Sequence, residues 1–411
     1  MFDKLVDFKI FNWIIFLVVI KILLSCSSEN AKLPQQQNAD AGRTNSYEHV
    51  EFFHNSRHYT TEIRIKDKSG CIQQPIALPD GRFVVATKNY ALNLISSTEK
   101  IWTVFPDTNL AIASAMAVDK DENIFVLLEN GRLIQYAKDG KLMMIIQNPD
   151  SVAEFETFSD ILLQNDGIVI GSNRGVLKKY DFKGKLLWHK RTNLNIPKTF
   201  CSDENNNIYM MLNTYNVNDG DSLIAFDKSG NIKWLYNMKA MTGSKSVVYK
   251  NGKIYTAFQK FALTGSVSEL ICLDVNGKKL WSKQLPIPIR NISVDKQENV
   301  IVSGYNPGTG EGISGIFSLK QGGNVNWSQY LKATINAPML LSNTDIAITA
   351  MTPQGAGTFI LDKSNGNLKR HVSMNDAPIL YLSPCVSSEG NLTYFGIDKL
   401  QIITIVSSSV L

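Results

Sequence analysis

The residues best suited to chemistry are few. His49, His54 and His58 fall close together beside Glu48 and Glu51, and imidazoles with carboxylates are zinc-ligand types. No further ligand is fixed by the spacing, so this set is read as exposed polar chain. The acidic runs VDKDENI (118–124), SDENNNI (202–208) and VDKQENV (294–300) resemble calcium loops in composition. Each lacks the glycine and closing glutamate of a compact oxygen cage, and Asp and Asn in such runs favour turns. Cys71, Cys201, Cys272 and Cys385 stand singly, without CxxC spacing. Thiolate metal binding is therefore not expected; a bridge between Cys71 and Cys385 is open, and four buried thiols are the plainer expectation. No GxSxG, HExxH or Walker loop occurs. The expectation is a chain with no catalytic residue, no metal and no cofactor.

One cysteine differs from the rest. Lys4 and Lys9 precede an apolar run, IFNWIIFLVVIKILL, which ends in LLSC at Cys26. Charged start, apolar middle and small-residue end are the order of an export signal. The LLSC ending resembles the bacterial lipobox, whose cysteine is lipidated and becomes the mature N-terminus. Residues 1–25 are read as a lipoprotein signal peptide and Cys26 as the lipid attachment site; the alternative is an uncleaved signal anchor. Both place the rest of the chain outside the cytoplasm, tethered to a membrane. Ser27 is not the aspartate that retains lipoproteins in the inner membrane of enteric bacteria, which favours the outer membrane. The polar stretch after it buries too little apolar surface to offset its ordering entropy, so residues 26–58 are expected to form a flexible tether.

Composition bounds the remainder. A hydrophobic fraction of 44% with 19% charged residues suits a globular fold, and a net charge of +5 without blocks of one sign gives no reason to expect nucleic acid.

The elements that must position any site are set by a repeat. Trp102, Trp188, Trp234, Trp281 and Trp327 occupy one slot of it, closing segments such as DFKGKLLW, DKSGNIKW and DVNGKKLW. Met144 and Arg370 fill that slot in two further units, at intervals of 42, 44, 46, 47, 46 and 43 residues. A period in this range is one propeller blade. Within residues 157–193 the sequence reads as four short strands separated by NDG, NRG and FKG turns, where glycine supplies the positive φ of tight hairpins. The fold expected over residues 59–411 is an all-β propeller of four-stranded antiparallel blades. Units starting near Cys71, Ile112, Thr157, Lys198, Ser244, Ile289, Asn336 and Pro378 make eight, with seven as the fallback. The last unit has three strands, and YTTEIRIK (59–66) is expected to supply the fourth and close the ring. The tryptophans are expected to dock blade against blade, since each can bury on the order of 150–250 Å².

AFDKSGNIKW (225–234), CLDVNGKKLW (272–281) and KYDFKGKLLW (179–188) resemble the tryptophan-docking repeat of pyrroloquinoline-quinone-like propellers, with its recurring Asp, Gly and Trp. LDKSNGNLKR (361–370) keeps the longer Asp to Gly spacing without the Trp. That family includes quinoprotein dehydrogenases and the non-catalytic propeller lipoprotein of the outer-membrane β-barrel assembly machinery. The enzymes carry adjacent cysteines, calcium ligands and a catalytic Asp. The resemblance, without a Cys-Cys pair here, implies a binding scaffold with another envelope protein as partner. A quinoprotein-type enzyme and a module binding glycan or a small ligand are the alternatives.

Loop lengths suggest where binding would occur. The second turn lengthens in four consecutive units, at 213–222, 259–268, 305–315 and 352–357, and insertions on one face of a rigid scaffold commonly carry function. The candidate contact residues there are Tyr215, Asn218, Asp219, Phe261, Tyr305 and Glu311.

Overall fold

The computed structural model describes residues 35–36, 58–61, 70–72, 74–96, 99–148, 156–192, 200–212, 221–238, 246–262, 265–306, 312–335, 337, 339–373, 384–386, 391–395 and 402–405. Of these, 35–36, 58–61 and 402–405, with some strand residues elsewhere, are described in backbone only.

Among the described residues there is no helix, and the strands form eight antiparallel sheets. In chain order, sheet one spans 76–104, sheet two 112–146, sheet three 158–191 and sheet four 200–237. Sheet five spans 247–285, sheet six 289–331, sheet seven 334–373 and sheet eight 385–405. Within these spans the strands follow one another as antiparallel meanders; in sheet seven both Thr334–Ile335 and Leu340–Leu341 pair with Asp345–Thr352. In sheet eight the strand His58–Thr61 pairs with Ile402–Ile405, starting one residue earlier than the expected boundary.

Many middle strands are apolar on both faces, although Val176–Tyr180 of sheet three carries the buried Lys178 and Lys179. In Ile124–Leu128 all five residues are buried; Ile124, Val126 and Leu128 pack with sheet one, whereas Phe125 and Leu127 pack with sheet three. A strand covered on both sides needs a continuous apolar run, and period-two alternation then assigns residues to one seam or the other. The core accordingly divides into eight clusters, each shared by two successive sheets, and Cys71, Phe83, Val85 and Ile95 of sheet one join Cys385 and Phe395 of sheet eight in the last of them.

The structure adds detail at two places that the sequence reading named. Gln35–Gln36, within the segment expected to be a flexible tether, pairs with the innermost strand of sheet two in the register Gln35↔Val118 and Gln36↔Ala117. An innermost strand leaves a row of unpaired N–H and C=O groups, which any extended polar segment can satisfy. Two of the four stretches read as long second-turn loops continue the strands: Lys253–Ala262 pairs with Gly265–Asp274 out to Ala262↔Gly265, and Asp345–Thr352 pairs with Gly355–Asp362 out to Thr352↔Gly355, whereas 213–220 and 307–311 lie outside the described residues.

Candidate functional site

The recurring Asp, Gly and Trp form one joint, repeated between sheets. Asp227 Oδ1 accepts the backbone N–H of Ser229 and of Asn231, each at 2.9 Å, while the Gly230 N–H donates to the Asp227 carbonyl at 2.9 Å. Asp181 and Asp274 make the same pair of bonds to the residues two and four positions on. Burial raises the Asp227 pKa, but the donations from Asn231 and Ser229 outweigh it and hold the carboxyl below its ordinary value.

The indole of the preceding sheet sits on this turn. A Cβ added to Gly230 would lie 2.8 Å from Trp188, and one added to Gly277 would lie 2.7 Å from Trp234, so only glycine leaves room. Trp102 stands in the same way on Gly140, Trp281 on Gly323 and Trp327 on Gly366. Four of the indoles then donate across the seam: Trp102 to the Lys138 carbonyl at 3.1 Å, Trp188 to Lys228 at 2.9 Å, Trp234 to Val275 at 2.9 Å and Trp327 to Lys363 at 3.0 Å. The Trp281 Nε1 is buried without a partner. Sequence and fold meet here: a glycine in one unit exists to receive a tryptophan from the unit before.

Between sheets two and three the joint changes. Met144 takes the slot, and its Sδ lies where a Gly184 Cβ would approach to 2.8 Å. A cavity of about 390 Å³ opens beside it, lined by Met144, Ile146, Lys178, Lys183, Gly184 and His189 among others. The strand Leu142–Ile146 is the outermost of its sheet, with Leu142, Met143 and Ile145 exposed. Phe182, Leu186 and Leu187 continue the exposed apolar surface onto sheet three. This groove was not among the sequence candidates, although Met144 as an exception to the tryptophan rule marked its position.

The acidic first turns are closed on themselves. Asp119 Oδ1 accepts the N–H of Asp121 and of Asn123, each at 2.9 Å, and Asp203 and Asp295 likewise receive their own turns' N–H groups. No group of three metal-ligating side chains occurs among the described residues. Cys71, Cys201, Cys272 and Cys385 are all buried thiols. Burial pushes the Cys272 thiol up to about 12 and that of Cys385 well above its ordinary value, so both stay protonated.

Of the predicted contact residues, Tyr215, Asn218, Asp219 and Glu311 lie outside the described residues, as do Cys26, residues 1–25, His49 and His54. Phe261 and Tyr305 are on strands, paired in backbone with Ser266 and Ser314. His189 and His371 are exposed on outermost strands, His371 stacked on Phe359 at 4.3 Å between ring centroids.

No family model matches the sequence, and neither does any curated protein. Among solved structures the chain is similar to BamB from Moraxella catarrhalis, with 14% identity over 86% of this chain and 100% of that one, and a TM-score of 0.57. It is similar to the Dos1 propeller, with 13% identity over 89% and 97% of the two chains and a TM-score of 0.60. It is also similar to the C-terminal WD40 domain of Sif2, at 11% identity over 87% and 99%, with a TM-score of 0.59. The fold is a β-propeller. At these identities the likeness is one of fold alone, and the propeller's activity has to be argued from its own residues.

Proposed function

We propose that the chain is an exported lipoprotein, anchored through Cys26 in the cell envelope, preferentially at the outer membrane, whose propeller holds another envelope protein and catalyses nothing. The observation that carries this reading is where the acidic residues of the repeat are spent. Asp119, Asp203 and Asp295 cap first turns, and Asp181, Asp227 and Asp274 cap third turns, so that the repeat's chemistry builds a scaffold. Eight seam clusters, the last joining sheet eight to sheet one, support an eight-bladed ring closed by the pairing of His58–Thr61 with Ile402–Ile405. The resemblance of the Asp, Gly and Trp repeat to pyrroloquinoline-quinone-like propellers supports a reading akin to the barrel-assembly propeller lipoprotein.

Binding is assigned to the second hairpins of sheets five to seven. Their paired strands run to ten residues in sheet five, seven in sheet six and eight in sheet seven, against four or five in sheets one and two. Three adjacent sheets with lengthened hairpins offer a continuous surface on a rigid support.

The test is crosslinking of the native lipoprotein in intact cells, with captured proteins identified by mass spectrometry and Cys26→Ala as the untethered control. Recovery of barrel-assembly subunits or nascent outer-membrane proteins, lost in Cys26→Ala, is the expected outcome. Capture of neither from a well-expressed protein would sink the assembly reading.

A further inference from the structure

The seam between sheets two and three is an indole socket without its indole. At the comparable seams a tryptophan covers the turn glycine and, in four cases, donates to a carbonyl of the next sheet. Lys138, Lys228 and Val275, which supply three of those carbonyls, each stand two residues before their glycine. Two residues before Gly184 is Phe182, and no tryptophan among the described residues donates to it. Met144 and, behind it, Ile146 cover the glycine, at 2.8 and 3.2 Å from where its Cβ would lie, and the cavity of about 390 Å³ remains alongside. A thioether on an unbranched chain changes rotamer easily, so Met144 can yield to a flat ring. A cavity of this size falls in the range of ligand sites.

The rim is basic. Lys183 and His189 line the cavity and are exposed, Lys178 lines it from below with its amine donating to Asn148 at 2.6 Å, and no carboxylate is among the described lining residues. Beside it the outermost strand Leu142–Ile146 ends its sheet, so it offers an open backbone edge next to exposed apolar side chains. An open edge pairs with an extended chain through main-chain bonds, while a side-chain pocket selects the residue.

We propose that this groove binds an acidic, extended segment of a partner protein, with one tryptophan of that segment seated on Gly184 beside Met144. The internal repeat identifies the side chain, and the lysine and histidine rim identifies the sign of its flanks. The site is built from sheets two and three alone, so the inference goes beyond the envelope reading and stands if that reading fails.

The probe is a fluorescein-labelled peptide of alternating glutamate and isoleucine with one central tryptophan, titrated with the full chain and followed by anisotropy. Replacing the peptide's tryptophan by alanine is expected to weaken binding about tenfold or more, since a seated indole contributes at least 1.4 kcal/mol. Met144→Trp, which supplies the socket from within, is expected to weaken wild-type peptide binding to the same degree. Lys183→Glu, an exposed change that leaves the seam intact, is expected to weaken it about threefold or more. Equal affinity for the two peptides, undiminished binding by Met144→Trp or by Lys183→Glu, or no binding to the wild-type chain would overturn the proposal.

Discussion

Two seams of the same propeller are closed at the same slot of the repeat by different residues, one by Trp188 and one by Met144. At the first, the indole covers Gly230 and donates to the Lys228 carbonyl at 2.9 Å. At the second, a thioether covers Gly184 and a cavity of about 390 Å³ is left. The difference teaches that the tryptophan does two jobs at once. It fills volume between blades and it bonds to the next blade's turn, and replacing it forfeits both.

The comparison breaks hardest at the socket. Gly277 has φ +81° and would place a Cβ 2.7 Å from the Trp234 ring. Gly277→Ala therefore combines left-handed strain of about 1–2 kcal/mol with overpacking of about 1–3 kcal/mol. The expected loss is about 2–5 kcal/mol in a urea unfolding experiment. The same substitution at Gly81, where φ is +84° but nothing lies within 4 Å, is expected to cost only the strain. Equal losses at the two sites would show that the indole imposes nothing on its glycine.

Next is the plug. Trp188 is half-buried and packs against the core of sheets three and four, so Trp188→Ala is expected to cost about 2–3 kcal/mol, below the figure for a wholly buried aromatic. Met144→Ala removes a smaller side chain already beside a void, and about 1 kcal/mol is expected by the same measurement. A cost for Met144→Ala as large as that for Trp188→Ala would mean that the methionine seam is as tightly packed as its neighbours.

How much of this was legible can be argued from the same residues. The slot shared by the tryptophans gave the blade period, and the FKG, KSG and NGK turns gave the hairpins, because glycine at positive φ and a bulky aromatic leave strong one-dimensional signals. The reason for the glycine was less visible. It depends on a contact some 40 residues away in sequence, such as Trp188 with Gly230. Gly265 and the polar residues of 259–268 suggested a loop, yet the backbone pairs as far as Ala262↔Gly265. No period-two alternation surrounds Phe261 to signal that pairing, so only the structure shows it. The groove at Met144 was legible only as an exception. Its character comes from Lys178, Lys183 and His189, which the next sheet's register brings to it.

A finer distinction separates the tryptophans themselves. Trp188 donates to Lys228, whereas the Trp281 N–H is buried without a partner. Phe in place of Trp keeps most of the ring and removes the donor. Trp188→Phe is thus expected to cost about 1 kcal/mol more than Trp281→Phe, the net worth of one hydrogen bond. Indistinguishable costs in the same denaturation experiment would assign the seam's stability to packing alone.

The smallest effect is expected from the turn that receives Trp327. Burial raises the Asp362 pKa, but bonds from Ser364 and Lys369 outweigh it and bring the carboxyl down to about 2. An unfolded aspartate titrates near ~3.9, so the folded chain holds this charge more firmly. The linked stability is fully present above about pH 4 and is lost as pH falls toward about 2, where the folded carboxyl also takes up its proton. Asp362→Asn cannot take up that proton, and its unfolding midpoint should therefore fall less steeply than wild type between pH 4 and pH 2. The side chain is partly exposed, so solvent screening keeps the difference small. Parallel pH profiles for the two proteins would mean that this socket is held by the backbone bond from Gly366 to Asp362 and by the Trp327 ring, with the carboxylate contributing nothing.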